Sequence, residues 1–105
     1  MRAAFLLALL PTLATAQEFT TQRYTCDRGV EVPATYVNRA DQSLAIIHVE
    51  GSQITLVNEP AASGARYGWP SDGSSYVWWT KGDEATLYWK SPEGEAQLLS
   101  CMAVE

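Results

Sequence analysis

The stretch "SGARYGWPSDGSSYVWWTKGDEA", residues 63–85, decides how the chain folds. It contains two β-type runs, 65–69 and 75–80, around a polar segment whose Asp72-Gly73 pair is a strong hairpin signal. A second break at Lys81-Gly82-Asp83 turns the chain into a further run at 84–90. Working outward, similar runs occupy 20–26, 30–37, 43–50, 53–58 and 96–104, separated by "DRG", "NRADQ", "GS", "NEP" and "SPEGE". β-Branched and aromatic residues dominate the runs, and no window shows a helical period. Between 43 and 50, Ala45, Ile47 and Val49 alternate with Ile46 and His48, as in a strand with one buried face. Pro33 marks a strand edge or a bulge in the second run. The expected fold is all-β: a small eight-stranded antiparallel barrel in hairpin order. Closure removes the edges that an open sheet would expose.

The opening "MRAAFLLALLPTLATA" has one early charge, Arg2, a short apolar run and an Ala14-Thr15-Ala16 ending. That is the pattern of a secretory signal peptide spanning 1–16, and its apolar run is too short to cross a bilayer. Residue 17 is glutamine, so no cysteine stands there to carry an acyl chain. The expectation is a soluble periplasmic domain, residues 17–105, with no membrane anchor, as a monomer or weak homodimer. These 89 residues form one domain whose core alone leaves it marginally stable. Two cysteines in an exported chain predict one disulfide, Cys26 to Cys101, tying the first strand to the last. With one histidine and no paired-cysteine spacing, no metal or other cofactor is expected. Loss of Arg2 leaves six basic against twelve acidic side chains, a net charge of −6. Such a surface disfavours nucleic acid and anionic membranes, and it favours a basic protein partner.

Catalytic constellations are absent from the sequence pattern. A serine triad would need Ser63 and His48, but "AASGA" is no nucleophile elbow and His48 sits within an apolar strand. Asp83 and Glu84 are adjacent, so on a strand they face opposite ways and cannot form a glycosidase pair. The expectation is a protein that is not an enzyme. Two readings of the aromatic cluster, Trp69, Trp78, Trp79 and Trp89 with Tyr67, Tyr76 and Tyr88, stand side by side. One is barrel core plus cross-strand pairs; the other is a stacking platform for a small ligand or a cell-wall glycan. Because residues 65–80 run out and back, the Ser63-Gly64 loop and the Lys81-Gly82 turn fall at the same end of the barrel. A hydroxyl beside an ammonium suits a carboxylate-bearing partner. The alternative is an ordinary turn lysine and a loop serine bonded to its own backbone.

"YTCDRG" at 24–29, "SGARY" at 63–67, "WTKGDEA" at 79–85 and the closing Cys101 together resemble the MliC/PliC family of bacterial inhibitors of c-type lysozyme. The resemblance covers nearly all of residues 17–105. It implies an eight-stranded barrel acting in the periplasm, with c-type lysozyme as the partner and evasion of host defence as the role. It implies that Ser63, Gly64 and Tyr67 of one motif, and Lys81 and Gly82 of the other, form the inhibitory loops. The absence of an acylated cysteine resembles the soluble PliC-like subgroup. The spacer "GWPSDGSS" is longer than the family's common pattern, which puts the register of Ser63 against Lys81 to the test.

Overall fold

The computed structural model describes residues 18–105. The signal-peptide expectation for residues 1–16 lies outside the described residues. Eight strands run in chain order: β1 (Glu18–Cys26), β2 (Glu31–Asn38), β3 (Ser43–Val49), β4 (Ser52–Glu59), β5 (Ala65–Gly68), β6 (Ser75–Lys81), β7 (Glu84–Ser91) and β8 (Gly94–Val104). Each pairs antiparallel with the next, and β8 returns to β1, giving the closed barrel expected from the sequence. No helix among the described residues is long and apolar enough to cross a membrane.

Alternation sets the core. Ala45, Ile47 and Val49 of β3 are buried while Ile46 is half-buried and His48 exposed, the period of two that a one-sided strand requires. Trp78 of β6 fills the middle of the barrel at 0% exposure, with Tyr24 meeting its ring edge-on at 5.1 Å. Its indole N–H donates to the Tyr36 hydroxyl at 2.8 Å, and the Tyr24 and Tyr36 hydroxyls share a hydrogen bond of 2.7 Å. The polar atoms of Tyr24, Tyr36 and Trp78 are therefore paired with each other, which offsets their desolvation cost. Burial raises the pKa of Tyr24 and of Tyr36, so both stay neutral hydroxyls.

Closure is covalent as well as hydrogen-bonded. Cys26 and Cys101 lie opposite each other in the β1–β8 pairing and form a disulfide across 75 positions of sequence. The chain-entropy model assigns such a loop about 4 kcal/mol.

Two local expectations are refined. Pairing of β2 with β3 begins at Ala34, so Pro33 sits just past the end of that ladder; the missing N–H of proline costs no bond on that side. The bulge lies elsewhere, in β8, where Leu98 is the extra residue between the Leu87–Leu99 and Tyr88–Gln97 pairs. Asp72-Gly73 forms no two-residue turn. β5 ends at Gly68, and residues 69–74 make a wider loop held by Ser71 N–H donating to the Trp69 carbonyl at 2.8 Å and Gly73 N–H donating to Ser71 Oγ at 3.3 Å. Local bonds around Pro70 satisfy the loop without the positive φ that a type I′ turn demands of both central residues.

Candidate functional site

One rim of the barrel carries the ends of β2, β4 and β6 with the starts of β1, β3, β5 and β7, as the registers require. The loop after β4 and the turn after β6 therefore sit side by side, and the register of β5 against β6 fixes how closely. Ala65 pairs with Thr80, Arg66 with Trp79 and Tyr67 with Trp78. The connection between the two strands, residues 69–74, forms a loop at the opposite rim and leaves this register intact.

Gly64 makes the approach possible. It has φ +68, and a Cβ placed there would stand 2.1 Å from the Thr80 carbonyl oxygen and 2.7 Å from Lys81 Cγ. Only a residue without a side chain fits, on both backbone and contact grounds. Thr80 Oγ1 donates to the Ala65 carbonyl at 3.3 Å, a second tie between the strands. Gly82, at φ +58, closes the two-residue turn between Lys81 and Glu84.

Ser63, Gly64 and Lys81 thus come together as the sequence predicts. Tyr67 and Gly82 do not join them on the wall. Instead they line the mouth of the barrel, a bowl of about 240 Å³ shared with Thr20, Tyr36, Asn38 and Thr80. Burial raises the pKa of Tyr67, so it presents a neutral hydroxyl there. The site straddles the rim, with an ammonium on the outer wall and hydroxyls inside.

Two residues that the motif reading passed over organise the outer wall. Trp79 lies two positions before Lys81 on β6, hence on the same face. Its indole N–H donates to the Ser63 carbonyl at 2.8 Å, and its ring lies 5.1 Å from both Lys81 Nζ and Arg66 Cζ. Arg66, directly across from Trp79, is 14% exposed and bonds Glu59 at 2.6 Å and Glu95. The Glu95 hydrogen bond, and then that of Glu59, raise its pKa against burial. Spacing by two along β6 was the signal available for Trp79; Arg66 becomes visible only once the β5–β6 register is known.

The four tryptophans form no single platform. Trp78 is core, Trp79 stands on the site wall, and Trp69 and Trp89 are exposed toward the opposite rim.

Residues 24–96 match the family model MliC, described as membrane-bound lysozyme-inhibitor of c-type lysozyme. A membrane-bound lysozyme inhibitor of C-type lysozyme from Pseudomonas aeruginosa is 42% identical over 73 residues, 67% of this chain and 54% of the relative. One of the same name from Cupriavidus necator is 42% identical over 65 residues, 62% of this chain and 49% of the relative. The chain spans about half the length of these curated relatives. Among solved structures, Pseudomonas aeruginosa MliC in complex with hen egg white lysozyme superposes with a TM-score of 0.68 at 30% identity, covering 98% of this chain and 100% of that one. PliC-St, the periplasmic lysozyme inhibitor of C-type lysozyme from Salmonella typhimurium, gives 0.68 at 27% identity, covering 84% and 100%.

Proposed function

The chain belongs to the MliC family, and from that premise we propose that it inhibits c-type lysozyme by lodging the Ser63 loop and the Lys81 turn in the enzyme's cleft. The observation that carries this reading is the meeting of Ser63, Gly64 and Lys81 at one rim. Lysozyme holds two carboxyl groups in its cleft, one of them with a raised pKa. Lys81 makes no ion pair among the described residues, so its charge is free to meet those carboxyls, with Ser63 Oγ as the adjoining donor. The net negative charge of the chain favours encounter with a basic enzyme, while the cation at the rim selects the cleft. Inhibition on this reading is occlusion, with no chemistry of the inhibitor's own.

Purified protein is titrated into c-type lysozyme while lysis of a cell-wall substrate is followed. Undiminished lysis at a large molar excess sinks the proposal. Lys81→Ala weakens inhibition by about 2–5 kcal/mol, the usual cost of truncating one partner of a desolvated charge pair. Lys90→Ala serves as the control, and equal losses from both would relocate the site. The leader-like residues 1–16 support export to the periplasm, and Gln17, where an acylated cysteine would stand, supports a soluble form there. Recovery of the chain in the membrane fraction after osmotic shock would overturn that part alone.

A further inference from the structure

The candidate cation of the site has an unusual holder. An exposed lysine tip ordinarily samples many rotamers, and binding must then order it at an entropic cost. A carboxylate would fix it, but it would also neutralise the charge that the partner must meet. In this barrel Asp83 and Glu84 follow Lys81 two and three positions on, yet neither forms an ion pair with it among the described residues. The Trp79 ring lies 5.1 Å from its Nζ instead. A ring quadrupole attracts an ammonium while leaving its net charge intact. The same indole reaches the other arm, because its N–H donates to the Ser63 carbonyl. Arg66, anchored by Glu59 and Glu95, sits over that ring and holds it in place.

We propose that Trp79 is the positioning residue of the site: its N–H fixes the Ser63 loop and its ring holds the Lys81 ammonium in one place and still charged, so both arms are set before the enzyme arrives. This deepens the lysozyme-inhibitor reading and rests on it for the affinity effects, though not for the geometry of the free protein.

Three variants separate the contributions. W79F keeps a ring and removes the N–H, and it weakens binding to lysozyme about fivefold. W79L removes both and weakens it about tenfold to thirtyfold. In a K81M background, which keeps the aliphatic stem and deletes the charge, W79L costs only the fivefold share that belongs to the Ser63 bond. A role confined to general stability would give W79L the same effect in both backgrounds, and that result overturns the proposal. Proton NMR of the free protein supplies a readout independent of lysozyme. The Lys81 ε-methylene protons are shifted upfield by the Trp79 ring current, remain partly shifted in W79F, and return to ordinary values in W79L. Unshifted protons in the wild-type protein overturn the proposal as well. Should the wild-type chain fail to bind lysozyme, the inhibitor reading falls, and the methylene shifts alone decide whether Trp79 holds Lys81.

Discussion

At Gly64 a single hydrogen atom decides whether the site exists. Gly64→Ala imposes an unfavourable positive φ, worth about 1–3 kcal/mol, and drives a methyl group against the Thr80 carbonyl and the Lys81 stem. Urea unfolding should show at least that loss, with inhibition of lysozyme falling alongside. Gly73→Ala is the matched control, since a Cβ there comes no nearer than 3.9 Å to Ser71 Oγ, and it should leave both measurements nearly unchanged. In the core, Tyr36→Phe strips the acceptor from the Trp78 indole and the partner from the Tyr24 hydroxyl. Leaving such buried groups unpaired costs about 1–3 kcal/mol, read as a lower urea midpoint. A variant as stable as the parent would mean that water replaces the Tyr36 hydroxyl.

Among the elements, the 69–74 loop carries the most direct test of which rim is used. Replacing it with a shorter glycine-serine connection should leave inhibition within about threefold of the parent, because loop length changes closure entropy only slowly. A large loss would mean that the Trp69 rim touches the enzyme. How much of this was legible in the sequence varies from element to element. The eight strands were readable from period-two alternation and from turn residues such as Gly51, Gly82 and Gly94, all at positive φ. Asp72-Gly73 did mark the β5–β6 hairpin, but not the width of its loop, because a two-residue turn needs strands that continue to it and β5 stops at Gly68. The meeting of Ser63 with Lys81 followed from the out-and-back path of the chain. That Tyr67 faces the bowl while Lys81 faces the wall depends on strand parity across β5 and β6. The Arg66 anchor was not legible at all, since Glu59 and Glu95 lie on β4 and β8, at opposite sides of the β5–β7 wall.

For the whole barrel, three tyrosines govern behaviour in alkali. Burial raises the pKa of Tyr24, Tyr36 and Tyr67 above the usual value of 10.0. The unfolded chain releases these protons near that pH while the folded one keeps them. Their contribution to stability is therefore complete below about pH 10 and is lost as pH climbs through the folded values. Urea midpoints should be level from about pH 7 to pH 9 and fall above about pH 10, with tyrosinate absorbance of the buried three appearing only as the barrel opens. Free titration of all five tyrosines in folded protein would contradict the interior described above. Barrel order has a practical side too. β1 begins at the rim that bears Ser63 and Lys81, and β8 ends there, since Glu18 pairs with Asn38 and Val104 with Arg23. A purification tag, surface-plasmon linker or display fusion joined next to Glu18 or Val104 would crowd the rim proposed to meet lysozyme. The 69–74 loop, at the far rim, is the better handle, and kinetics measured through it would report on the unobstructed protein.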